Sequence, residues 1–101
     1  MKPSLSLSQD VRTALDAGRA IVALESTIIT HGMPYPQNLE TAQLVEADVR
    51  ASGAVPATIA VLDGVIHVGL EPEQLEKLAR TENARKLSRA DLAICLAERK
   101  T

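Results

Sequence analysis

Two runs rich in β-branched residues, Ala57 to Leu62 and Val65 to Gly69, are separated only by Asp63-Gly64. Asp-Gly tolerates the positive φ angles of a two-residue turn, so the segment predicts an antiparallel hairpin. Helical signals flank it on both sides. Ser8 stands before apolar Val11, Ala14, Leu15 and Ala17, with Gly18 behind them, which predicts a short helix with an N-cap and a C-terminal glycine. From Gln37 or Asn38 to Ser52 the apolar residues Leu39, Ala42, Val45 and Val49 recur at spacings of three and four. Glu40, Glu46, Asp48 and Arg50 occupy other faces, so this is an amphipathic helix, stopped by Gly53. Pro72 suits the first turn of a helix through Ala79. Ser88 with Asp91 resembles a capping box for a last helix through about Glu98, and Thr81 to Leu87 reads as polar linker or a short edge strand.

Ahead of the long helix, Ala20 to Leu24 is apolar throughout, the pattern of a strand buried on both faces of a helix-covered sheet. Glu25 to Pro36 follows, and Gly32, Pro34 and Pro36 make it a loop without regular structure. Helix, strand, loop, helix, hairpin, helix, helix is the order of a single α/β domain over residues 1–101, with a mixed sheet whose β-hairpin packs against amphipathic helices. Its core is aliphatic, because apolar residues make up 46% of the chain while Tyr35 is the sole aromatic. Cys95, lying among Leu92, Ile94 and Leu96, reads as a small core residue.

Charge and hydropathy exclude several classes of partner. Eleven basic and thirteen acidic residues leave a net charge of −2 with no block of either sign, so no nucleic acid is expected. The longest apolar run is too short to cross a membrane, and Met1-Lys2-Pro3-Ser4 leads into alternating Ser and Leu, not a signal-peptide block. The protein reads as cytoplasmic.

The chemistry centres on Glu25. A carboxylate at the end of a buried strand sits where α/β proteins place their ligand crevice. Burial there would disfavour the ionised form and favour a general acid. The other reading is a carboxylate bonded to the backbone amides of Ser26 to Ile28 or to a nearby cation. Arg85 and Lys86, just before the Ser88 helix start, are either an anion site or solvated linker. His31 either fixes the loop or faces the same pocket as Glu25, and His67, alternating with Ile66 and Val68, is expected to face outward. Neither histidine has a Cys, His or carboxylate at ligand spacing, so no metal site is expected among these residues.

The run Val22-Ala23-Leu24-Glu25-Ser26-Thr27-Ile28-Ile29-Thr30-His31-Gly32-Met33-Pro34-Tyr35-Pro36-Gln37-Asn38 closely resembles the opening motif of the pseudouridine-5'-phosphate glycosidases. The likeness continues through Gly53 to Ala60, through Gly64 to Leu70 and through Lys86 to Leu92. Enzymes of this family reversibly split the carbon–carbon glycosidic bond of pseudouridine 5'-phosphate into uracil and ribose 5-phosphate. They hold the opened sugar as a Schiff base on a lysine, with manganese bound nearby. The resemblance implies that Glu25 is the catalytic proton donor and that Lys86 binds the phosphate end of the substrate. It also implies a homotrimer, and a larger α/β/α enzyme roughly three times this length. The Schiff-base lysine and the metal-binding aspartate would then fall beyond Thr101, and Lys100, in the charged tail Glu98-Arg99-Lys100, is not a substitute. The isolated chain is accordingly expected to be inactive, with aliphatic residues such as Ile21, Ile28 and Ile59 uncovered. A non-catalytic module that reuses the fold for interaction or small-anion binding is the alternative.

Overall fold

The computed structural model describes residues 4–81 and Thr101. The helix expected from Ser88, Cys95 and Lys86 lie outside the described residues. Four strands, β1 (Ser4–Leu7), β2 (Ile21–Leu24), β3 (Val55–Leu62) and β4 (Val65–Val68), form one sheet in the order β1-β4-β3-β2. β3 and β4 are antiparallel, and each has a parallel neighbour on its other side, β2 beside β3 and β1 beside β4. The sheet is mixed, as expected, and Asp63 at φ 49° and Gly64 at φ 81° make the predicted turn.

Helices α1 (Gln9–Ala17), α2 (Gln37–Ala51) and α3 (Pro72–Arg80) cover the two faces. α1 lies on one side, where Val11 and Ala14 pack on Val55 and Ala57. Residues of β3 alternate between faces, so Ala60 and Leu62 point the other way, toward Ala42 of α2 and Leu75, Leu78 and Ala79 of α3. The caps follow the sequence: the Ser8 hydroxyl accepts from Val11 N, and Gly18 closes α1 at φ 68°. At α3, Pro72 stands in the first turn, and Glu71 with Gln74 forms a capping box.

Several expectations are corrected by tertiary context. β1 goes unread in the sequence because four residues of alternating Ser and Leu become a strand only through pairing with β4. β2 is not buried on both faces: it is an edge strand, and Val22 and Ala23 are exposed. α2 turns inward a stripe that shares only Ala42 with the expected apolar one, with Leu39 half-buried beside it. Asn38, Ala42 and Glu46, spaced by four, are buried, while Leu44 and Val45 are exposed. The stripe is polar because β3 presents Thr58 beneath it, whose hydroxyl donates to Glu46 Oε2 at 2.7 Å. Aliphatic surface is uncovered as anticipated at Ile28 and Ile59, and also at Leu5, Val22 and Leu44, whereas Ile21, expected to be uncovered, is half-buried against the cluster of Val11, Ala14, Val55 and Ala57.

His67 does not face outward. β4 is an interior strand, and His67 pairs with Ala60 on one side and Ser6 on the other, leaving the residue 8% exposed. Burial pushes its pKa below the ordinary 6.5, and the Lys77 ammonium adds to that, while Asp63 opposes it. The unfolded chain therefore binds this proton first as the pH falls. Stability associated with neutral His67 is fully present above about pH 6.5 and is lost as the pH drops through the lowered folded value. Urea midpoints measured at pH 7.5 and 5.5 should differ, with the lower value in acid. The His67→Gln variant should narrow that gap. An unchanged gap would assign the acid sensitivity to other groups.

Candidate active site

Glu25 follows the last residue of β2, at the end where parallel β2 and β3 both run out toward their C-terminal ends. Leu24 is paired with Thr58, so Glu25 emerges beside Ile59 of β3. The expected burial is absent: in this chain Glu25 is exposed. Its Oε1 accepts a 2.7 Å bond from the Thr27 amide and a second bond from the Thr27 hydroxyl. Of the two readings open in the sequence, the carboxylate held by local backbone is the one these contacts describe. They also give it a fixed orientation, with Oε2 taking part in neither bond. The reason for its exposure is the edge position of β2, which leaves the strand end covered from one side only.

The segment after Glu25 is not irregular throughout. Ile28–Gly32 forms a single π turn, entered through bonds from the Ile29 and Thr30 amides to Ser26 O at 3.0 and 3.2 Å. Pro34 and Pro36 prevent its extension, because proline has no N–H to donate to a preceding turn. π turns of this kind concentrate at functional sites. Ile29 is buried in the core and anchors the turn, whereas His31 is exposed and shares a 2.6 Å hydrogen bond between its Nδ1 and Thr30 Oγ1.

Beyond the turn, Tyr35 reaches α3. Arg80 lies over the Tyr35 ring, 5.0 Å from its centroid, donates to the Tyr35 hydroxyl at 3.0 Å and pairs with Glu76 at 2.8 Å. A shallow open depression is lined by Glu73, Glu76, Lys77, Arg80 and Thr81; Glu25 does not line it. Asn38, at the start of α2, is the site-region residue that sequence reasoning passed over. Its signal was its register, four residues before Ala42 and eight before Glu46 on one helical stripe.

Among the described residues no three His, Cys, Asp or Glu side chains come together as a metal site. The described residues by themselves therefore do not form a three-ligand set for manganese. Also among them, no helix is long and apolar enough to cross a membrane.

A mixed sheet with helices on both faces and a carboxylate at the C-terminal end of a parallel strand defines an α/β domain of the class that places ligand crevices at its strand ends. Comparison with known proteins narrows this class. Residues 10–101 match the profile of the indigoidine synthase A-like proteins, and the chain belongs to that family. Among curated relatives, pseudouridine-5'-phosphate glycosidases from Jannaschia sp. and from Roseobacter denitrificans are 64% identical over 93 residues and 66% identical over 90 residues. These alignments take in 92% and 89% of this chain but 31% and 29% of the relatives, so the chain spans about a third of their length. The solved structure of the prealnumycin C-glycosynthase AlnA in complex with ribulose 5-phosphate superimposes with a TM-score of 0.82 at 39% identity, over 99% of this chain and 32% of that one. An indigoidine synthase A-like protein from Thermotoga maritima gives a TM-score of 0.80 at 28% identity, over 97% of this chain and 31% of that one.

Proposed function

We propose that this chain serves in cleavage and formation of the carbon–carbon glycosidic bond of pseudouridine 5'-phosphate, with Glu25 as the proton donor and Lys86 on the substrate phosphate. The observation that carries the reading is the 64% identity over 93 residues to a pseudouridine-5'-phosphate glycosidase. The neighbour AlnA, a C-glycosynthase solved with a sugar phosphate, is of the same chemical kind.

The chemistry asks for an acid because a carbon leaving group has no basic atom to accept a proton directly. Protonating the ribose ring oxygen breaks the C1'–O4' bond and leaves an electron-poor C1', to which a lysine amine supplied from outside this chain would add. In this reading the proton sits on Glu25 Oε2, because Oε1 is engaged by Thr27. Exposed here, the carboxyl would acquire the dry surroundings that suit a general acid once substrate and the remaining length of the enzyme close over it. Manganese, a homotrimeric assembly and a cytoplasmic location belong to the same proposal.

The test is a chimaera in which this chain replaces the aligned third of the Jannaschia sp. relative, assayed for uracil release from pseudouridine 5'-phosphate with manganese present. Release at a rate near the relative's supports the reading; a folded chimaera that releases none defeats it. The isolated chain should release no uracil. In the active chimaera, Lys86→Ala should raise KM for the phosphorylated substrate about 10- to 100-fold, as expected for the loss of one charge-assisted hydrogen bond. Unphosphorylated pseudouridine should be little affected, and equal losses with both substrates would remove Lys86 from the phosphate.

A further inference from the structure

Asn38 is 2% exposed, and its side-chain amide serves two elements far apart in sequence. Its Nδ2 donates to Ile29 O in the π turn and to Ala79 O in α3, each at 2.8 Å, while Oδ1 accepts from Leu39 N at 2.8 Å. Every polar atom of the side chain is thereby engaged, and both amide hydrogens are used on carbonyls that helix geometry leaves without a donor. The residue five beyond Ile29 is Pro34, which has no N–H to complete a π-type bond. Ala79 lies in the last turn of α3, where Thr81 takes the two preceding carbonyls: its hydroxyl donates to Lys77 O at 2.8 Å and its amide to Leu78 O at 3.1 Å. Asn38 thus caps the π turn and α3 together.

The two carbonyls lie in different parts of the fold. One lies in the segment that leads out of Glu25; the other lies at the end of the helix from which the chain continues toward Lys86. We infer that Asn38 is a positioning residue that sets the separation of the Glu25-to-Gly32 segment from the C-terminal end of α3. Its catalytic meaning rests on the function proposed above; the clamp itself does not. Tyr35 and Arg80 span the same gap from outside, but both are exposed, and water competes for their bonds. Asn38 does the work in a water-excluded position, where an unpaired carbonyl is most costly.

Amide hydrogen exchange on the protein tests this directly. With Asn38→Ala, exchange at Ile29, Thr30 and Thr81 should accelerate at least about tenfold, while the β3 and β4 amides stay near their original rates. Asn38→Asp keeps the volume and replaces the donor by a carboxylate facing two carbonyl oxygens. Protection should be lost at neutral pH and return in part as the introduced carboxyl is protonated and can donate again. Uniform acceleration across the sheet, no change at the three amides, or an Asn38→Asp pH response no different from that of the unmodified protein would overturn the inference. Uracil release by the chimaera is read separately, so a failed functional assignment leaves the exchange result interpretable.

Discussion

Replacing Glu25 by Gln in the active chimaera should lower kcat for uracil release by between about 10²- and 10⁴-fold, the range general acid catalysis supplies. KM should change little, because an interaction made only as the proton moves appears in kcat and kcat/KM alike. The structure makes this substitution informative. Glutamine keeps the shape of the side chain, and its carbonyl oxygen can still accept from the Thr27 amide, now at 2.7 Å from Oε1, so the turn keeps its entry. What disappears is the proton. Since Glu25 is exposed, the substitution should leave the thermal midpoint nearly unchanged, which separates lost chemistry from lost fold. Thr27→Val is the natural comparator, because it removes the hydroxyl donor to Oε1 but keeps the amide. Its smaller loss of kcat would mark orientation of the carboxyl as distinct from proton donation. Retained turnover in Glu25→Gln would place the acid elsewhere and reduce the Glu25–Thr27 contact to a local stabilisation of the chain as it leaves β2.

How much of this was readable beforehand depended on whether the signal was local. The Asp63-Gly64 turn, the Ser8 and Gly18 caps of α1 and the Pro72 start of α3 are set within a few residues by backbone preference, and each is found where the sequence puts it. The run from Glu25 to Gly32 was legible as a motif, but its surroundings were not. Exposure of Glu25 follows from β2 taking an edge, a fact of strand order. His67 was misjudged for the same reason, since period-two alternation assigns residues to two faces without saying which helices cover them. In α2 the apolar spacing favoured Leu39, Ala42, Val45 and Val49, yet of these only Ala42 is buried, in one stripe with Asn38 and Glu46. That stripe is chosen by what lies opposite: Thr58 for Glu46, and the carbonyls of Ile29 and Ala79 for Asn38. Polar positions with polar partners across a core carry no hydrophobic signal, and only the assembled fold reveals them.

The largest stability loss is expected at Gly69, where the end of β4 meets the start of α1. Gly69 adopts φ 86°, and its amide donates to Thr58 O at 3.0 Å, which holds the strand end in place. A Cβ built there would overlap Ser8 Oγ and lie 2.7 Å from Val11 Cγ2. Ser8 and Val11 cannot simply withdraw, because the Ser8 hydroxyl caps α1 and Val11 is 1% exposed in the core. Three costs therefore combine in Gly69→Ala. Left-handed backbone costs an L-residue about 1–2 kcal/mol, overpacking costs about 1–3 kcal/mol, and displacing the cap adds about 1 kcal/mol. A loss of at least about 3 kcal/mol is expected, equivalent to a fall of roughly 15 °C in the thermal midpoint for a chain of this size. Gly53→Ala supplies the control. Gly53 has a similar φ of 94°, but nothing lies within 4 Å of its added Cβ, so only the backbone cost applies. The difference between the two thermal midpoints isolates the contact between β4 and α1. Equal losses would mean that α1 is free to move away from the sheet, and that Val11 is not fixed against Val55 and Ala57 by the Ser8–Gly69 junction.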